Sequence, residues 1–413
     1  MAWAETCSMK AKARFCVAYE RGEGSMSELC RRFGVSRKTG YEVLGRWRAE
    51  GPAGLAERSH APHHRPHALS KSVREAIVGL RGKRPTWGPK KLKRGLERDH
   101  PDVAWPAAST IGDLLARSGV VARRKRRRQV PPSTAPLAHC QRANDVWSVD
   151  FKGWFRTLDG SRCDPLTMQD QASRYLLRVV AVERMDADHV WAVFDAAFRE
   201  FGLPVAVRSD NGPPFASTGA GGLSRLAVRL IKAGVVPERI DPGCPQQNGR
   251  LERLHLTLAQ ETARPPAASL RAQARSFDAF CRIYNEERPH EALGLAVPAS
   301  VYVASARSWN GRLCSPEYAS GVTVRRVRMN GEIKWGGGLV WISSALIGEP
   351  IGIEEGEDGV RRVWFGPVQL GTIDASGSLR LPRAARAASS LRALRTSGAA
   401  PERTENSVTH HAG

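Results

Sequence analysis

The sequence is poor in the features that mark a membrane, secreted or ATP-driven protein. No apolar run in its 413 residues approaches the roughly 18 that would begin to span a bilayer. The opening residues, Met1, Ala2, Trp3 and Ala4, do not begin a secretory signal, so no membrane partner is expected. The eight cysteines (Cys7, Cys16, Cys30, Cys140, Cys163, Cys244, Cys281 and Cys314) stand singly, with no Cys-x-x-Cys pair. That spacing argues against a zinc ribbon or a disulfide framework and reads as reduced thiols in a cytoplasmic protein. The Gly-Lys dipeptide at Gly82-Lys83 is followed by Arg84 rather than Ser or Thr, so there is no phosphate-binding P-loop and no use of ATP is expected.

Acidic residues are scarce as well: 41 Asp and Glu stand against 63 Lys and Arg, a formal charge of +22. The excess sits at the front, where residues 1–140 carry +17 while the remaining 273 carry only +5. This asymmetry predicts a basic, nucleic-acid-binding front and a nearly neutral body with chemistry of its own. The length predicts two to four domains, and a hydrophobic fraction of 41% suffices to build their cores.

The front reads as helical. Apolar residues recur at helical spacing over 11–20, and Ser25 with Glu28 forms a capping box opening a short helix through Leu29 and Phe33. Gly34 and Val35 then make a tight turn, and Ser36 caps a helix with Gly40, Val43, Leu44 and Trp47 on its buried face. Arg37, Lys38, Thr39 and Glu42 remain at its first turns, outside that face, as in a helix-turn-helix whose second helix enters the major groove. The unit is expected over 5–52. A linker over 53–69 carries His60, His63, His64 and His67, a cluster better read as polar spacer than as a zinc site without cysteines at ligand spacing. A second helical DNA-binding module is expected over 70–121, with helices opened by Ser70, Pro89 and Ser109, and with Lys90, Lys91, Lys93 and Arg94 facing outward. The run Arg123, Arg124, Lys125, Arg126, Arg127, Arg128 cannot fold on itself, and 122–140 reads as an extended arm laid along phosphates.

From Asn144 the pattern turns to α/β. A strand is expected over Val146–Phe155 with Asp150 in its middle, followed by strands at 166–170 and 175–182 and a helix capped by Asp186. A short strand at 205–207 ends in Ser209-Asp210-Asn211-Gly212, a glycine-rich loop (Gly219, Gly221, Gly222) follows, and a later helix carries Glu252 and His255 at i and i+3. Asp150 in an apolar strand is costly unless paired or metal-bound, Asp210 closes a strand where α/β sheets place ligands, and Glu252 can pack across that end. Three carboxylates without an obligatory His or Cys suit hard cations, Mg²⁺ or Mn²⁺.

Three motifs carry a resemblance. Ser209-Asp210-Asn211-Gly212 with Phe215, Pro245-Gln246-Gln247-Asn248-Gly249-Arg250-Leu251-Glu252, and Tyr284-Asn285 followed by Arg288-Pro289-His290 and Leu293-Gly294 resemble the segments of retroviral integrases and integrase-like insertion-sequence transposases of bacteria. The resemblance implies a ribonuclease-H-like core over 141–300 with a triad of Asp150, Asp210 and Glu252 holding two metal ions. The Asp210–Glu252 interval of 42 residues is long for the family, which leaves Glu261 as a fallback third ligand. The implied activity is cutting at element ends and joining of 3′-hydroxyls to target double-stranded DNA, by a homo-oligomer associated with the bacterial nucleoid. Two alternatives stay open: a helix-turn-helix regulator with an inactive core, and a tyrosine recombinase using Tyr284.

Strand-like runs around Asn330-Gly331 and Asp358-Gly359 predict a small all-β domain over 320–376, SH3-like as in similar transposases, bearing Arg325, Arg326, Arg328 and Lys334. Residues 383–413, rich in Ala, Arg and Ser, read as a disordered tail. The expected architecture is therefore multidomain: all-α modules, an α/β core and an all-β end.

Overall fold

The structure, a computed structural model, describes residues 8–57, 68–121, 140–241, 244–374 and 376–381. The histidine cluster, the run 123–128 and the tail 383–413 lie outside the described residues. The chain divides into two compact units, residues 1–70 and residues 71–413.

The first unit contains α1 (Ser8–Glu20), α2 (Met26–Arg32) and α3 (Arg37–Glu50). The Ser25–Glu28 capping box forms in full, and Gly34 turns the chain at φ +68° into the Ser36 cap. Phe15, Leu29, Val43 and Leu44 close the core. The expected linker starts later than residue 53. A 3₁₀ turn, Gly51–Leu55, tucks Leu55 into that same core, and buried Lys12 reaches Glu57 at 2.6 Å.

The second unit opens with α4 (Lys71–Lys83), α5 (Pro89–Asp99) and α6 (Ala108–Arg117), packed around Ile77, Trp87, Leu92, Leu96, Ile111 and Leu115. Ser109 does not cap α6. The N-cap is Ala107, with no side-chain cap bond, because the apolar stripe of Ile111 and Leu115 draws Ser109 inside the first turn.

The α/β core contains β1 (Val146–Phe151), the hairpin strands β2 (Phe155–Arg156) and β3 (Arg162–Cys163), then β4 (Pro165–Asp170), β5 (Leu176–Ala181), α7 (Ala187–Phe201), β6 (Ala206–Ser209), α8 (Arg225–Lys232), β7 (Val236–Arg239), α9 (Gly249–Thr262) and α10 (Leu270–Arg282). β1 is shorter than expected: the chain turns at Gly153 (φ +89°), and Phe155 pairs with Cys163 in the separate hairpin. Asp150 therefore sits near the end of its strand, not in its middle. The sheet order is β5-β4-β1-β6-β7, with β4 and β5 antiparallel and β6 and β7 parallel to the strands beside them. One face buries Trp147, Val149, Leu166 and Met168 against Val190, Phe194 and Phe198 of α7. The other buries Leu176 and Val179 against Leu251, Leu254 and Leu258 of α9 and Phe277 and Phe280 of α10.

The all-β end comprises β8 (Thr323–Arg326), β9 (Glu332–Trp335), β10 (Gly338–Trp341), β11 (Pro350–Glu355), β12 (Arg361–Phe365), β13 (Val368–Ile373) and β14 (Leu379–Arg380). Its antiparallel strands form a five-stranded sheet, β14-β13-β12-β11-β8, and a β10-β9 hairpin. This domain shares one core with the α/β body: Ala220, Leu223, Ala227, Val228 and Ile231 join Val327, Ile351, Val363, Phe365 and Leu370. Gly221, at φ +62°, lies so close that a Cβ there would stand 3.1 Å from side-chain carbons of Val368 and Leu370. The extra length between Asp210 and Glu252 thus builds the seat of the C-terminal domain.

Candidate active site and DNA-binding surfaces

Sheet register brings two of the three carboxylates together. β1 and β6 run parallel with Val146 opposite Ala206, Trp147 opposite Val207 and Ser148 opposite Arg208. Continued by two residues, that register sets Asp150 beside Asp210 at the carboxyl edge of neighbouring strands, which lie about 4.8 Å apart. Asp210 is steadied by its own turn. Its Oδ1 accepts from Gly212 N at 3.2 Å, and a Cβ at Gly212 would meet Oδ2 at 3.0 Å, so a residue without a side chain is what lets the carboxylate fold back. Asn211 Nδ2 donates to Ile240 O at 2.8 Å and ties this turn to the end of β7.

The third carboxylate comes from α9. Asn248 is buried just before the helix, with Oδ1 lacking a hydrogen-bond partner, and Gly249 begins it where a Cβ would meet nothing. His255 registers the helix on the sheet. Thr167, the cross-strand partner of Asp150, donates its hydroxyl to Asp150 O at 3.0 Å, and His255 Nε2 lies 2.8 Å from that hydroxyl. Since the Thr167 proton is already given to a carbonyl, the imidazole is the donor, which fixes its Nε2–H tautomer. Burial, then the Lys152 cation, lowers His255 to about 4, so the ring is neutral. One turn earlier, exposed Glu252 lies on the same helix face.

Burial first, then the negative charge of Asp210, and in smaller part that of Glu252, push Asp150 up to about 7 against the lowering effect of the Phe151 N–H. Among the described residues no three His, Cys, Asp or Glu side chains stand close enough together to hold a metal ion.

Glu261 is elsewhere. Nine residues further along α9, its carboxylate accepts from Arg288 Nη1 at 2.7 Å and from the Thr86 hydroxyl. Arg288 also donates to Thr86 Oγ1 at 3.0 Å, and Arg84 pairs with Glu287, so the signature segment after α10 anchors the second helical module to the core. His290 stands edge-on to Tyr284 at 4.6 Å, and burial lowers it to about 3. Tyr284 is 6% exposed, accepts from Gln169 Nε2 at 3.0 Å, and is pushed up by burial to about 12. A sealed, weakly acidic phenol is unsuited to nucleophilic attack, which removes the tyrosine recombinase alternative.

On the first unit, Ser36 Oγ accepts from Thr39 N at 3.1 Å and meets Thr39 Oγ1 at 2.9 Å, leaving Arg37, Lys38 and Glu42 exposed. Tyr41, 59% exposed in the same turns, was not singled out from the sequence; its signal is an aromatic off the apolar face. In the second module the outward lysine face needs correction. Lys90 is exposed, 3.9 Å from Glu291, but Lys91 turns inward toward Arg288 and Arg253 and is lowered by burial to about 8. Also unforeseen is Trp154, 56% exposed after β1, flanked by the guanidiniums of Arg162 at 5.2 Å and Arg156 at 5.8 Å.

Comparison with known proteins agrees with this arrangement. The sequence matches the Integrase core domain family over 141–245 and, in a second description, over 233–298. It matches a Helix-turn-helix domain over 12–63, a Homeodomain-like domain over 39–115 and the IS481 family transposase C-terminal domain over 322–378. A 31.7 kDa protein of insertion element IS407 from Burkholderia multivorans is 30% identical over 225 residues, 54% of this chain and 78% of that protein. A 39.2 kDa protein of insertion element IS476 from Xanthomonas euvesicatoria is 29% identical over 282 residues, 67% of this chain and 78% of that protein. Among solved structures, the HTLV-2 integrase catalytic core domain in complex with magnesium aligns at 13% identity and a TM-score of 0.31, covering 40% of this chain and 99% of that one. No described helix is long and apolar enough to cross a membrane. With an integrase core between helix-turn-helix units and an IS481-type C-terminal domain, the chain belongs to the transposases of bacterial insertion elements.

Proposed function

We propose that this protein cuts DNA strands at the ends of its element and joins the resulting 3′-hydroxyls to target DNA, with Asp150, Asp210 and Glu252 as the ligands of two Mg²⁺ or Mn²⁺ ions. The observation that carries the reading is the β1–β6 register, which sets Asp150 beside Asp210 at one sheet edge, with Glu252 on the helix that the His255–Thr167 contact holds against the sheet. Such a donor set, all oxygen and short of positive charge, fits a hard divalent cation. When bound, the ions would activate a water or a 3′-hydroxyl and stabilise the leaving oxygen of a phosphodiester. The chain supplies position. β1 and β6 fix the two aspartates, and the His255–Thr167 contact sets α9, and with it Glu252, against them. Trp154 offers a face on which a base can stack beside the scissile strand. The helix-turn-helix residues Ser36, Arg37, Lys38, Thr39 and Glu42 read the element end, Lys90 and the run from Arg123 to Arg128 hold backbone, and two ends require at least two protomers in the bacterial nucleoid.

The test is cleavage of an end-bearing duplex in Mn²⁺ by Asp150→Asn, Asp210→Asn and Glu252→Gln. Each should lose cleavage while binding the duplex nearly as wild type does. Cleavage kept in Glu252→Gln and lost in Glu261→Gln would transfer the third role to Glu261.

A further inference from the structure

A second group of charges, positive this time, lies at the front of α9, and the mechanism above does not use it. Arg250 Nη1 donates to Gln171 O at 2.8 Å and approaches Gln171 Oε1 at 3.4 Å. Gln171 is 1% exposed, and its Nε2 has no partner. Three residues on, Arg174 occupies the end of the turn after β4 at φ +65°, a conformation L-residues rarely adopt, and its Nη1 is buried without a partner. The nearby acid, Asp170, is already engaged: Oδ2 accepts from Asn144 N at 2.8 Å, and Oδ1 from Ser173 N at 2.7 Å and Ser173 Oγ at 2.6 Å. His290 Nε2 is also buried without a partner.

Contacts join these groups: Gln169 Nε2 donates to Arg174 O at 3.1 Å and to the Tyr284 hydroxyl at 3.0 Å, the His290 ring stands 4.6 Å from that of Tyr284, and Glu291 lies 3.9 Å from Lys90, the neighbour of Lys91. Arg174 is lowered to about 10, by burial and then by Arg250, and Lys91 to about 8, by burial and then by Arg288 and Arg253, with Glu291 and Glu261 only partly opposing. After burial, His290 is lowered by Lys91, Arg288 and Arg174. Arg288 is committed to Glu261, but Lys91, Arg174, Arg250 and Arg253 make no ion pair among the described residues. Lys91 and Arg174 are partly buried, Arg250 and Arg253 exposed beside them, and the orphaned donors of Arg174 and Gln171 cost stability unless an acceptor completes them.

We infer that Lys91, Arg174, Arg250 and Gln171 form a phosphate-binding pocket for the DNA strand that enters the carboxylate site. Its ligand is a phosphodiester: it carries one charge and two unesterified oxygens, which suit a guanidinium fork and neutral N–H donors together. Its position agrees. Asp150 is opposite Thr167, and Gln171 lies four residues further along β4, about 13 Å. A DNA strand advances about 3.4 Å per phosphate, so the pocket holds the backbone about four nucleotides from the acids. Lys91 comes from the second helical module, so bound DNA would also join that module to the core. The proposal takes its ligand from the DNA reading of the site, and its test can fail separately.

The experiment titrates binding of a linear DNA duplex to the full chain against salt, and follows thermal melting without DNA. Arg174→Gln and Lys91→Gln should each flatten the slope of log affinity on log salt by up to about 0.9, and the double variant by no more than about 0.9, because both act on one phosphate. Arg174→Lys should keep the wild-type slope. Without DNA, Arg174→Gln should melt at or above wild type, because a repelled cation has been removed. Unchanged slopes in both single variants, or a lower melting temperature for Arg174→Gln with the slope kept, overturn the pocket and make Arg174 a holder of its turn. Flattened slopes in a wild-type background that never cleaves DNA in Mn²⁺ would keep the pocket and sink the catalytic reading.

Discussion

Asp150→Asn should make the metal-free protein more stable at neutral pH while destroying its activity. Asp150 is raised from 3.8 to about 7, mostly by burial and then by Asp210. A shift of about 3 units corresponds to at most about 4 kcal/mol, and residual contact with water reduces the expected effect to roughly 1–3 kcal/mol. The sign follows from proton binding. Between about pH 4 and pH 7 the folded state holds a proton that the unfolded chain has released, so stability falls as pH rises through that window. Above pH 7 the full penalty applies, and below pH 4 it vanishes. Asparagine carries no such penalty. Thermal melts in EDTA from pH 4 to pH 8 should therefore show variant and wild type together at the acid end, with the variant a few degrees higher at pH 8. Mg²⁺ should raise wild type and leave the variant nearly still. A variant that melts below wild type at pH 8, or a difference that does not change with pH, refutes the argument that these acids repel one another.

Arg37→Ala or Lys38→Ala should reduce discrimination between element-end and random duplex by roughly 1–3 kcal/mol per lost base contact, read by competition binding; equal losses on both would make them phosphate contacts. Replacing all of Arg123–Arg128 by Gln should flatten the salt dependence of end binding by roughly 4–5 units and leave specificity intact, and an unchanged slope would make the run a plain spacer. Ile231→Ala should cost about 2–5 kcal/mol and lower the melting of α/β body and β domain together, a coupling that two separate transitions in calorimetry would contradict.

Local chemistry was legible wherever one short segment decides the outcome. The Ser25–Glu28 box, the Ser36 cap and the Asp186 cap are all formed because each needs only residues within one turn. The candidate acids were approachable because Asp150 is a lone charge in an apolar strand, Asp210 closes another and Glu252 lies on an amphipathic helix. What the sequence could not show was long-range pairing. Arg84, Glu261, Glu287 and Arg288 look like ordinary solvated charges until chain segments some 200 residues apart meet through Arg84–Glu287 and Thr86–Glu261. Lys91 was misread for the same reason: helical spacing separates polar from apolar faces but does not say that a polar face meets a second polar surface. The strand through Asp150 was drawn too long because apolar residues continue past it, while the turn at Gly153 is a backbone event.

The seat formed by Ala220, Leu223, Ala227, Val228 and Ile231 also bears on how the chain is made. Its partners, Val327 to Ile373, are synthesised after it, the last of them 142 residues later. At roughly 5–20 residues per second, the ribosome leaves that apolar strip uncovered for about 7 to 30 seconds. Once Glu252 has been translated all three acids of the core exist, yet α8 still lacks its cover. A ribosome stalled before residue 320 would hold a nascent chain with a greasy surface where the finished protein has an interior, which is a substrate for chaperones and proteases. Completion of the final β domain is what turns that strip into an interior.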